Sequence, residues 1–127
     1  MADHPLRVLV VDDEKLIADS LAQIFRTRGF ESEAAYNGRS AVEAACTFVP
    51  DVLITDVVMP GMSGWDVALE YSHVLPACRV ILFSGQADTA DLRDQAGALA
   101  FEYEVYTKPV PPQIFINRLQ IEAELLH

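Results

Sequence analysis

Histidine, cysteine and lysine are all scarce in this 127-residue chain, and each scarcity narrows what it can do. The three histidines, His4, His73 and His127, are scattered, two of them near the termini, which disfavours a histidine-based metal site. The two cysteines, Cys46 and Cys78, have neither metal-ligand spacing nor the density of a disulfide scaffold, and read as core or near-surface thiols. No apolar run reaches the ~18 residues of a membrane span, and nothing resembles a cleaved signal, so the expectation is a soluble, cytoplasmic chain that does not bind membranes. Basic residues number 9 against 19 acidic ones, a net charge of −10. With no basic stripe, direct nucleic-acid binding is disfavoured, and a protein partner or a bound cation fits better. Lysine occurs only at Lys15 and Lys108, so the position of each is worth explaining.

What is present is alternation. The length fits a single domain over 1–127, with a core over about 5–126. "LRVLVV" (6–11) is a continuous apolar strand, and from Lys15 the spacing of Ile17, Leu21, Ile24 and Phe25 predicts a helix with Gly29 as its C-cap. A short strand is expected around Glu33 to Tyr36, then Asn37-Gly38 as a turn and a helix from about Arg39 to Phe48. "DVLIT" is the third strand. Ser63, with Asp66 three residues on, reads as the N-cap of a helix carrying Trp65, Ala68 and Leu69. "RVILFS" (79–84) is the fourth strand, residues 88–97 a helix with a thin apolar face, and Glu102 to Thr107 the fifth strand. A closing helix after Pro111 and Pro112 carries Ile114, Phe115, Leu119, Ile121 and Leu125. Five strands alternating with five helices specify an α/β fold, a doubly wound parallel sheet.

In such sheets ligands bind outside the carboxyl ends of the strands. At those ends stand Asp12-Asp13-Glu14, Asp56, Ser84-Gly85 and Lys108-Pro109. Each has a plain reading alone: Asp12 or Asp13 could cap a helix, Asp56 could end a strand, and the other two could be ordinary turns. Granted the fold, all four converge on one edge. Two carboxylates ~4 Å apart repel by about 4 kcal/mol at an effective dielectric near 20, so three of them need protons or a cation. Mg2+ takes oxygen ligands and is often held by one or two carboxylates together with a phosphate. Aspartate can accept a phosphoryl group covalently, so Asp56 is the candidate nucleophile, with Lys108 and the cation holding phosphoryl oxygens and Ser84 donating to one of them. Lys15, on the first helix, reads as a surface residue.

At this point the sequence resembles the receiver domain of two-component response regulators, over about residues 5–126. The stretches that carry the likeness are "VLVVDDE", "DVLITDVVMPGMSGWD", "VILFSG" and "YTKPV". The resemblance implies a flavodoxin-like strand order 2-1-3-4-5 and a cis Lys108-Pro109 peptide. It implies Asp56 as phosphoacceptor, and Asp12, Asp13, Asp56 and the Val58 backbone carbonyl as Mg2+ ligands. Ser84 becomes the switch hydroxyl and Lys108 the phosphate-binding lysine. It further implies a histidine kinase or a histidine phosphotransfer protein as donor, and no enzyme activity beyond assisting the domain's own phosphorylation and dephosphorylation. Phosphorylation would rearrange the surface formed by the helix over 88–97, the fifth strand and the closing helix. That surface is also the family's usual dimer face, which leaves a homodimer open.

Family members usually carry Tyr or Phe three residues before the lysine, where this chain has Val105. Strand periodicity puts Tyr103 on the face of Val105 and Tyr106 on the opposite one. Tyr106 could replace the aromatic switch only through a bulge, and Tyr103 only by reaching across a pleat. Val58 and Gln86, the positions lining the phosphate's approach to water, are apolar and neutral, which predicts slow self-dephosphorylation. With no DNA-binding helix left over, output is expected through a downstream protein effector or onward phosphotransfer; a receiver cut from a longer regulator would read the same way. Two rivals stand beside this reading. One is a receiver-like interaction module that works without phosphorylation, which Val105 favours. The other is a magnesium-dependent hydrolase, which would need a general acid where Val58 stands.

Overall fold

The computed structural model describes residues 4–85 and 103–126. Three apolar, β-branched runs form the middle of one parallel sheet: β1 (Arg7–Val11), β3 (Val52–Asp56) and β4 (Arg79–Ser84). β3 is buried at every residue, as a strand covered on both faces must be. The edges are β2 (Glu31–Ala35) and β5 (Glu104–Thr107), and the order β2-β1-β3-β4-β5 is the expected one. β2 starts earlier than its apolar residues suggest and stops before Tyr36. Its ladder with β1, from Arg7 opposite Glu31 to Val11 opposite Ala35, sets those bounds.

Four helices occur among the described residues: α1 (Lys15–Thr27), α2 (Gly38–Thr47), α3 (Gly64–Val74) and the closing helix α4 (Pro112–Leu126). The helix expected over 88–97 lies outside them, as do Gln86 and Glu102. α1 and α4 cover one face of the sheet, packing Leu21, Phe25, Phe115 and Leu119 on Val8, Ile54, Ile81 and Phe83. α2 and α3 cover the other, packing Ala41, Ala45, Val67 and Tyr71 on Leu9, Leu53 and Leu82.

Helix ends show why these segments begin and stop where they do. Ser63 and Asp66 form a full capping box on α3, with the Asp66 amide donating to the Ser63 hydroxyl at 3.2 Å and the Ser63 amide to the Asp66 carboxylate at 3.0 Å. Asn37 is a cap and not a turn residue: its side chain accepts from the Ser40 amide at 2.8 Å. Gly29, at φ +92°, sits one residue beyond the C-cap Arg28, where the left-handed conformation is needed. At the end of α2 the same conformation falls on Val49, at φ +53°, whose amide donates to the Ala44 carbonyl at 3.0 Å. A β-branched residue there costs about 1–2 kcal/mol. Val49→Asn is expected to stabilise the protein by about 1 kcal/mol, a rise of a few degrees in Tm; an unchanged Tm would show that no strain is held there.

Two inward faces differ from the sequence reading. In α3, Gly64, Val67, Ala68 and Tyr71 are buried while Leu69 is 41% exposed. In α4 the buried residues are Phe115, Ile116, Leu119 and Glu122, and Ile114, Ile121 and Leu125 face outward. Glu122 can be inside because Arg118 Nη2 lies 2.7 Å and Arg79 Nε 3.3 Å from its Oε1, so the acid is buried as an ion pair.

Candidate functional site

Parallel pairing delivers the acidic residues to one edge. Asp12 follows β1, Asp56 ends β3, and Ser84 ends β4; all three are buried, whereas Asp13 is exposed. Lys108 is tied in by its own backbone, its amide donating to the Ser84 carbonyl at 2.7 Å, and its peptide with Pro109 is cis as expected. Its Nζ lies 3.3 Å from Asp56 Oδ2 and 3.7 Å from Asp12 Oδ2. Carboxylate oxygens of Asp12, Asp13 and Asp56 lie within 4.8 Å of one another.

Asp12 does not cap α1 but closes a turn just before it. Its Oδ1 accepts from the Glu14 amide at 2.9 Å at the mouth of α1, where Glu14 itself makes no side-chain cap. The turn and the cluster therefore use different oxygens, since Asp12 Oδ2 is buried without a hydrogen-bond partner among the described residues. The electrostatics follow from burial. Desolvation pushes the Asp56 carboxyl up to about 6, aided by the neighbouring Asp12 charge and opposed by Lys108. Desolvation raises Asp12 as well, against the Glu14 hydrogen bond and Lys108.

The chain after Asp56 is fixed by hydrogen bonds. The Thr55 hydroxyl donates to the Asp56 carbonyl at 2.9 Å, the Val57 amide to the Phe83 carbonyl at 3.1 Å, and the Gly64 amide to the Val57 carbonyl at 2.8 Å. The Asp56 and Val57 carbonyls each accept one of these bonds, and Val58, which follows, is 53% exposed. The site fits a hard cation: three carboxylates converge, and among the described residues one buried acceptor oxygen lacks a donor and a single lysine offsets the charge. Ser84 Oγ, also buried without a hydrogen-bond partner among the described residues, can donate to an incoming oxyanion.

The three candidates for the switch position separate. Leu82 pairs with Val105 and Phe83 with Tyr106 in unbroken register, so no bulge carries Tyr106 across the sheet. Tyr106 packs on Phe115 at 5.8 Å, its hydroxyl 3.4 Å from Glu104 Oε2. Tyr103 shares the Val105 face, as expected, and is docked on α3: its hydroxyl donates to the Ala68 carbonyl at 3.4 Å and its ring lies 6.5 Å from Trp65. Lys15 is exposed, its Nζ 4.8 Å over the Tyr36 ring. Sequence reading missed Thr55, Gly64 and Phe83, whose ring lies under Lys108. Phe83 adjoins Ser84, but its register with Tyr106 was needed to place it.

A doubly wound sheet with these acids, a hydroxyl and a lysine at its carboxyl edge defines a CheY-like domain. The sequence matches the family described as response regulator receiver domain over residues 8–120, and the chain belongs to that family. It is 34% identical over 117 residues to the probable transcriptional regulatory protein TcrX of Mycobacterium tuberculosis, covering 92% of this chain and 49% of that protein. It is 39% identical over 100 residues to the transcriptional regulatory protein PdtaR of the same species, covering 76% of this chain and 48% of that protein. The chain thus spans about half the length of these relatives. Among solved structures it resembles the receiver domain of the Francisella response regulator 1452, with a TM-score of 0.80 at 26% identity over 96% of this chain and 99% of that one. It also resembles the chemotaxis protein CheY4 of Vibrio cholerae, with a TM-score of 0.78 at 27% identity over 91% and 97%. A phosphorylation switch is the general function of the family, and its members generally bind Mg2+ at an acidic pocket. No helix among the described residues is long and apolar enough to cross a membrane.

Proposed function

We propose that this receiver accepts a phosphoryl group on Asp56 from a histidine kinase or a histidine phosphotransfer protein in the cytoplasm. The carrying observation is Lys108 Nζ held between Asp56 and Asp12, with its amide on the Ser84 carbonyl and the Ser84 hydroxyl without a partner among the described residues. An Asp56 carboxylate oxygen forms the O–P bond while the P–N bond to the donor imidazole breaks, its electron pair staying on nitrogen. Lys108 neutralises phosphoryl charge as a mobile cation, and Ser84 donates one hydrogen bond. Asp12, Asp13, Asp56 and the Val58 carbonyl would hold Mg2+, which supplies the charge neutralisation that one lysine does not. The domain serves as acceptor, assisting its own phosphorylation and its slow reversal, and passes the signal to a protein effector.

Intact-protein mass after incubation with acetyl phosphate tests this. One phosphoryl group should be gained with Mg2+, none without it, and none in Asp56→Asn. Because Val58 offers no group to order water, the adduct should outlast minutes. No gain under any condition would favour the rival interaction module, and loss within seconds would sink the slow-reversal reading.

A further inference from the structure

Lys108 has two kinds of neighbour. On one side stand the Asp56 and Asp12 carboxylates; on the other its Nζ lies 5.0 Å from the centroid of the Phe83 ring. Phe83 is 2% exposed, and its ring is fixed by an edge contact with Phe115 at 5.8 Å. Phe115 is wedged in turn by Phe25 at 6.4 Å and Tyr106 at 5.8 Å. A lysine stem has four rotatable bonds, and only a small part of its arc lies where a phosphoryl oxygen on Asp56 could be met. The negative face of an aromatic ring attracts an ammonium most strongly where water is partly excluded, and Lys108 is 29% exposed. Of the two carboxylates only Asp56, at 3.3 Å, is within hydrogen-bond reach, while Asp12 stands at 3.7 Å, so the acids give Nζ a single short contact.

Resting on the phosphoacceptor reading, we propose that Phe83 is a positioning residue: its ring is a platform that holds Lys108 Nζ against Asp56 and thereby sets the rate of phosphoryl uptake. The same residue holds the acceptor turn through its carbonyl, which accepts from the Val57 amide at 3.1 Å and survives a side-chain change. Ring and backbone roles can therefore be separated by mutation.

The chain's two lysines make the contact directly readable. With lysine labelled at the ε carbon, the NMR spectrum should show two methylene signals, assigned by Lys15→Arg, with that of Lys108 shifted by the Phe83 ring current. Phe83→Leu should return the Lys108 signal toward its free position, leave Lys15 unmoved, and slow uptake from acetyl phosphate with Mg2+ by about fivefold, the factor expected for ~1 kcal/mol of cation–π contact. In a Lys108→Ala background, Phe83→Leu should slow the residual reaction no further. Tyr71→Phe, in the layer on the other face of the sheet, controls for lost stability: without the hydroxyl that donates to the Ala41 carbonyl it should lower Tm but move neither the Lys108 signal nor the rate. An unshifted Lys108 signal in the wild type overturns the platform, as does an unchanged rate in Phe83→Leu. So does an equal slowing when Lys108 is absent. If the wild type takes up no phosphoryl group, the phosphoacceptor reading and the platform fall together, whereas normal uptake with an insensitive Phe83→Leu removes the platform alone.

Discussion

Asp56→Asn is expected to stabilise the metal-free protein at neutral pH while abolishing phosphoryl uptake. Asp56 is 5% exposed, and its carboxyl is pushed from 3.8 up to about 6 because desolvation outweighs the attraction of Lys108. Between those two values the folded protein holds a proton that the unfolded chain has released, so stability falls as pH rises through this window. Above about 6 the penalty is fully present. Two units correspond to about 3 kcal/mol as an upper bound. Asn keeps the shape and removes the charge, so the variant should be more stable by about 1–3 kcal/mol at pH 7.5. The gain should shrink to nothing near pH 3, below both values, where the wild-type carboxyl is protonated in both states. Mg2+ should stabilise the wild type and do little for the variant, by mass action on the folded state. Urea unfolding in EDTA at the two pH values measures this, and a variant no more stable than the wild type at pH 7.5 would mean the buried charge is already compensated.

Gly64→Ala should damage the fold and the site together. A Cβ on Gly64 would lie 2.4 Å from the Asp56 carbonyl oxygen and 2.9 Å from the Val57 Cα, both backbone atoms that no rotamer change can move. The turn from Asp56 to Gly64 must then open, weakening the Gly64 to Val57 hydrogen bond of 2.8 Å. Overpacking of this kind typically costs about 1–3 kcal/mol. Because the displaced carbonyl belongs to the acceptor, uptake should fall by more than the loss of folded protein explains. Comparing phosphorylation rate with Tm separates the two effects; a variant with a lowered Tm and a normal rate per folded molecule would show that the turn tolerates movement.

The legible parts of this molecule were those where one residue type has one use. Apolar β-branched runs could only be buried strands, and an acid at the end of such a run was conspicuous because burying it is unfavourable. The inner face of α4 was legible only in part, at Phe115 and Leu119. Ile114, Ile121 and Leu125 look like core residues, and Glu122 does not. The burial of Glu122 depends on Arg79 and Arg118, which arrive from a different strand and from the preceding helical turn. Asn37 was misread because Asn-Gly serves turns and caps alike, and only the Ser40 amide decides between them. Phe83 was hidden because a phenylalanine inside an apolar strand carries no sign of the charged group that will rest on it.

At the far end of the sheet, Asp51 laces three strands before any of them reaches the acids. Its side chain accepts from the Arg7 amide at 2.9 Å, its own amide donates to the Arg7 carbonyl at 2.8 Å, and its carbonyl accepts from the Arg79 amide at 3.0 Å. The central strands are thus clamped at their roots like beams set in a wall, with the reactive groups at the free ends. If Asp56 takes up a phosphoryl group as proposed, movement is expected at the strand tips and not in the hydrophobic layers clamped beneath them.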